Sequence, residues 1–156
     1  MLDELKRFFK GFVYAGRGIA YGVKTQRNFR FHIVAAVWVL ALSRFYSFGR
    51  TEYAVLLLTI ALVIVSEAVN TAIESAVDLC TEEHRRLAEA AKDTAAGAVL
   101  AASVFAVGVG FCLFWDKTVF GEILSFMNAF PLRWVIAAVM AVLSFLFVFS
   151  ERKDKK

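Results

Sequence analysis

Four polar residues recur on one helical stripe of this chain: Glu67, Asn70, Glu74 and Asp78, at offsets of 0, 3, 7 and 11. Three carboxylates in one stripe repel one another unless a cation shares them. A metal ion, a lysine or a phosphate-bearing ligand with its metal would do so. Lys92 and Asp93 follow a polar loop, TEEHRR at 81–86, and are expected at the start of the next helix. On a soluble helix such a stripe is an ordinary solvated face. Here it follows the apolar run Tyr53–Val65, so the helix begins as a membrane span. An ionisable group at membrane depth is costly and points to function. With a span starting near Thr51, ~20 residues at about 1.5 Å each cross the hydrocarbon core. Glu67 then lies about 6 Å inside the boundary, with Glu74 at it and Asp78 beyond it. A carboxylate ladder across that boundary suits chemistry joining a membrane-dissolved substrate to a water-soluble one.

The elements that carry this stripe follow from composition. Of 156 residues, 60% are hydrophobic, and the mean hydropathy is +0.63. That is too apolar for an ordinary soluble domain. In lipid the backbone must satisfy itself in helices or closed barrels, and the long continuous apolar runs select helices. The expected fold is all-α, a polytopic membrane helical bundle. The amino-terminal stretch lacks the apolar core and small-residue cleavage site of a signal peptide. Cys80 and Cys112 lie on different segments without metal-ligand spacing and read as inert thiols. The net charge of +4 is modest, and no nucleic-acid partner is expected.

Residues 1–24 read as an amphipathic surface helix. Leu2, Leu5, Phe9, Phe12, Val13, Gly16 and Ile19 keep the 3/4 spacing while most Lys and Arg fall elsewhere. Gly11, Gly16, Gly18 and Gly22 weaken that helix. Glycines near Lys24 and Thr25 have the wrong spacing for a P-loop. A polar knot, TQRNFRFH at 25–32, precedes the first span at about 29–48. The second span covers 51–79 and the third 92–115. On the third, Ala98, Ala102, Ala106 and Gly110 repeat every four residues, as closely packed helices require. An amphiphilic connector holding Pro131 leads to a fourth span at about 132–149 and a basic tail. The division is thus a core of 1–115 and an extension of 116–156, to which no chemistry is assigned. His32 reads as an interfacial hydrogen-bonding residue, His84 as a solvated one, and Trp38 as packing within a span. Trp115 and Trp134 read as interfacial aromatics. Of the 18 Lys and Arg, 14 fall before residue 31, in 80–92 and in the tail, against 4 in the two opposite connections. The positive-inside rule puts both termini and the 80–92 loop in the cytoplasm, where ATP is.

The string EAVNTAIESAVD at 67–78, followed by AKDTAAGAV at 91–99, resembles the prokaryotic diacylglycerol kinase and undecaprenol kinase family over roughly residues 5–115. NFRFH at 28–32 is more similar to its Gram-positive, undecaprenol-type branch. The resemblance implies a lipid kinase of the bacterial cytoplasmic membrane, with three spans and a surface helix per subunit. It also implies a homotrimer with active sites between subunits, Mg2+ and ATP. Glu67 would be the general base on the lipid hydroxyl, and Glu74 would bind the magnesium. Asn70 and Asp78 would position ATP or metal, Lys92 would hold the transferred phosphate, and Asp93 and Asn28 would help hold the nucleotide. The family carries a glutamate two residues before the asparagine, sharing the magnesium with the residue matching Glu74. This chain has Gln26 there. A glutamine carbonyl ligates Mg2+ without bringing charge.

The residues agree with that chemistry. Phosphoryl transfer needs the phosphates neutralised and the attacking hydroxyl oriented. Glu67 is the least hydrated carboxylate and the best placed to take a proton. A lysine at a helix amino terminus would add the helix dipole to its own charge. Undecaprenol is the expected acceptor and diacylglycerol the alternative. A catalytically weakened structural relative is the rival that Gln26 favours. A small channel rests on the intramembrane carboxylate alone.

Overall fold

The computed structural model describes residues 1–80 and 86–150. Six α-helices follow in order: α1 Leu2–Thr25, α2 Arg27–Leu42, α3 Arg50–Cys80, α4 Arg86–Phe114, α5 Lys117–Asn128 and α6 Pro131–Phe149. No strand occurs among the described residues, and the molecule is the helical bundle that its composition requires. Its principal seam joins α3 to α4, and α2 touches both α3 and α6. Leu56, Val63, Glu67, Asn70 and Thr71 are the buried residues of α3. They form one stripe, so the polar ladder continues the apolar seam. On α4 the buried residues are Ala95, Val99 and Ala102. The small-residue row is only partly that seam: Ala102 belongs to it, while Ala106 and Gly110 line a cavity against α2 and α3.

Helices α3, α4 and α6 are long and apolar enough to cross a membrane. The first span departs from its expected extent of 29–48. Its helix is the 16-residue α2, about 24 Å long, followed by a single 3-10 turn at Ser43–Phe45. Local side chains end it. The Ser43 hydroxyl donates to the Leu40 carbonyl at 2.8 Å, which competes with the helical ladder. Tyr46, extended at φ −104° and ψ 140°, donates its hydroxyl to the Phe114 carbonyl at 2.7 Å. Its ring meets Phe48 and Phe114 at 5.3 and 5.0 Å. This aromatic cluster ties the end of α2 to the end of α4.

α1 runs unbroken through its four glycines and leaves Leu2, Phe8, Phe9 and Phe12 exposed, as a helix lying in an interface does. Its single close seat is Gly22, where a Cβ would stand 2.9 Å from Phe29 Cδ2. α5 fills most of the amphiphilic connector 116–131. Asp116 caps α5 by accepting from the Thr118 N–H at 2.8 Å and from its hydroxyl at 2.6 Å. Those bonds hold the Asp116 carboxyl below the usual range. Pro131 opens α6 at its first position, where a missing N–H costs nothing. The 81–85 part of the polar loop, with His84, and the basic tail 151–156 lie outside the described residues.

Candidate functional site along the carboxylate ladder

Burial falls along the stripe as its depth predicts. Glu67 is 2% exposed and Asn70 5%, Glu74 is half-buried and Asp78 exposed. Glu67 follows Val63 by one turn, so the seam that buries Val63 buries its carboxylate too. Thr71 donates its hydroxyl back to the Glu67 carbonyl at 2.9 Å, a helical back-bond that occupies its polar group.

Glu74 gathers the next set. Asn70 Nδ2 donates to Glu74 Oε1 at 3.0 Å across one turn of α3. Gln26 Nε2 donates to Glu74 Oε2 at 3.3 Å from 48 residues away. Gln26 reaches it because it is the one non-helical residue between α1 and α2, at φ −103° and ψ 117°. The structure therefore brings together the two residues expected to share a metal. Among the described residues, no three His, Cys, Asp or Glu side chains form a metal cluster. The oxygen donors nevertheless suit Mg2+, a hard cation content with one or two carboxylates. Asn70 Oδ1 is buried without a hydrogen-bond partner, an acceptor left free to face a cation or a donor. The Gln26 carbonyl can present itself by turning the amide over. The set fits a magnesium ion, with one negative charge fewer than two carboxylates would supply.

Lys92 departs from its expected place. α4 is already helical at Arg86, so Lys92 sits in its second turn and receives no terminal dipole. Leu87, Ala88, Glu89, Ala90 and Ala91 all favour helix, which is why the helix extends toward the loop. Lys92 Nζ stands 2.5 Å from Asp78 Oδ1. The lysine expected to hold phosphate and one of the expected nucleotide residues therefore hold each other. Asp93 and Asn28 are exposed.

Two cavities flank the ladder. One, of about 360 Å³, lies among α2, α3 and α4, with His32 and Ile64 at the Glu67 end and Phe114 among its lining. His32 is half-buried there, with its ring edge-on to Phe31 at 5.6 Å. The other, of about 660 Å³, lies between α3 and α4 beside Ser66, Asn70 and Thr94.

Arg30 escaped the reading of the sequence as a site residue. It is 7% exposed and donates to four main-chain carbonyls, those of Val23, Lys24, Val148 and Ser150. The signal was a charge between Phe29 and Phe31 at the entry to an apolar helix, which requires partners. Trp38 also has a partner, since its Nε1 donates to Ser144 Oγ at 3.1 Å.

The family model described as prokaryotic diacylglycerol kinase matches residues 13–114. An undecaprenol kinase of Bacillus subtilis is 45% identical over 115 residues, 74% of this chain and 94% of that protein. A diacylglycerol kinase of Synechocystis is 47% identical over 103 residues, 65% of this chain and 59% of its own length. A diacylglycerol kinase of Helicobacter pylori is 32% identical over 100 residues, 64% of this chain and 78% of that protein.

Proposed function

Because this chain belongs to the prokaryotic diacylglycerol kinase family and is a membrane lipid kinase, we propose that it phosphorylates undecaprenol from ATP. The observation that carries the catalytic reading is a buried Glu67 on the same stripe of α3 as a Glu74 that gathers Asn70 and Gln26. Glu67 takes the proton of the lipid hydroxyl as phosphate is transferred. The apolar cavity that starts near Ile64 supports a substrate whose chain lies in the membrane while its hydroxyl reaches Glu67. Glu74, with the carbonyls of Asn70 and Gln26, would hold Mg2+, which neutralises phosphate charge when bound. Lys92 exchanges Asp78 for the transferred phosphate and steadies it. Asn28 and Asp93 orient the nucleotide at a site that a neighbouring copy in a homotrimer completes. The chain lies in the bacterial cytoplasmic membrane with both termini and the 80–92 segment inside.

Phosphate transfer from radiolabelled Mg-ATP in mixed micelles tests this reading, with undecaprenol and diacylglycerol offered separately to the chain and to its Gln26→Glu variant. Transfer to undecaprenol by the unaltered chain is expected. Preference for diacylglycerol, which the name of the Synechocystis relative favours as the second reading, would replace the acceptor and keep the mechanism. Transfer by Gln26→Glu alone would identify a disabled kinase. No transfer by either would remove the catalytic assignment.

A further inference from the structure

The chain continues beyond the family match, which ends at residue 114, and its last described helix returns to the α1–α2 junction. Arg30 makes that return. Its Nε and Nη2 donate to the Val148 carbonyl at 3.1 Å each, and Nη2 also to Ser150 at 3.2 Å. Its Nη1 donates to Val23 at 3.0 Å and to Lys24 at 3.2 Å. One buried guanidinium therefore closes the carboxy-terminal ends of α1 and α6 together. Val23, Lys24 and Val148 lie in the last turns of their helices, where carbonyls lack an intrahelical partner and carry the negative end of the helix dipole, and Ser150 is the residue that follows α6. A guanidinium stays charged and offers five donors in a rigid fork. Arg27 adds a second grip, its guanidinium carbon 5.8 Å from the Phe149 ring centroid. Gln26 lies between Lys24 and these two arginines, 3.3 Å from Glu74.

We propose that Arg30 is a positioning residue that uses the end of α6 to hold the α1–α2 junction, and with it Gln26, against Glu74. A neutral amide has weaker attraction for a cation than a carboxylate, so its contribution depends more on where the scaffold puts it. The added helix supplies that placement. The inference rests on the metal-side role of Gln26 given above.

The test uses the full chain in mixed micelles, as Arg30→Lys, Gln26→Ala and the double variant. The readings are the Mg2+ concentration for half-maximal rate and the KM for lipid. A separate reading needs no turnover: cross-linking of Lys24→Cys to Ser150→Cys by a short bis-maleimide, with Cys80 and Cys112 replaced by Ser. Arg30→Lys is expected to raise the Mg2+ requirement about fivefold, as coupled neighbours do, with lipid KM unchanged. That increase is absent in the Gln26→Ala background, and the cross-link forms with Arg30 and weakens with Lys. Equal increases in both backgrounds, or no cross-link with Arg30 in place, would overturn the proposal. If Gln26→Ala itself leaves the Mg2+ requirement unchanged, the metal-side role of Gln26 is wrong and the proposal falls with it. Should Arg30→Lys not assemble, Phe149→Ala, which strips the ring beneath Arg27, takes its place with the same expected and overturning results.

Discussion

A carboxylate at 2% exposure is costly to bury, and Glu67 therefore makes a sharp prediction. Glu67→Gln keeps the shape and removes the charge. Phosphate transfer is expected to fall by about a hundredfold to ten-thousandfold, while thermal unfolding in detergent shows no loss of stability, because a neutral amide is less costly to bury. A large loss of stability together with activity would mark Glu67 as structural. The Lys92–Asp78 pair predicts a different pattern. Its side chains are 38% and 65% exposed, and such a pair is worth about 0–1 kcal/mol. Asp78→Asn should leave unfolding nearly unchanged, whereas Lys92→Met should abolish transfer without releasing the lipid. Equal kinetic losses from both would mean that the pair itself, rather than the lysine, serves the reaction.

At the scale of elements, two glycines of one helix should respond with opposite signs. Gly22 faces Phe29, whose ring is 3% exposed and would meet a new Cβ at 2.9 Å. Gly22→Ala is expected to cost about 1–3 kcal/mol by overpacking, seen as easier unfolding and easier proteolysis of α1. At Gly16 a new Cβ would have open space, with nothing within 4 Å. Gly16→Ala should stabilise α1 by about 1 kcal/mol. Equal effects would show that α1 does not seat on α2 through Gly22. The early end of α2 is likewise an element-scale result. Its Ser43 hydroxyl and Tyr46 ring stop a helix that hydropathy alone would carry to Phe48.

For the whole molecule, the balance of 14 basic residues against 4 predicts the orientation. Cys80 and Cys112, both exposed in the monomer, lie near opposite ends of the α3–α4 pair. A membrane-impermeant maleimide should label Cys80 in inside-out vesicles and spare it in intact cells. Labelling of Cys80 from outside would invert the topology and take the carboxylate ladder away from ATP.

Legible in the residues alone were the helical membrane class, the extents of helices α3 and α6 to within a residue or two, and the stripe from Glu67 to Asp78. Each rests on local periodicity or on the cost of polar groups in lipid, and both are legible along the chain. The order in which the carboxylates are buried was legible for the same reason. The start of α4 was not, because helix-forming residues at 86–91 look like loop when read for charge, and Lys92 consequently lost its terminal position. Contacts between distant residues came only with the packing of the helices: Gln26 on Glu74, Lys92 on Asp78, and Arg30 across the ends of α1 and α6. Such pairings depend on how helices cross. A guanidinium that binds main-chain carbonyls leaves no side-chain partner for a sequence to display.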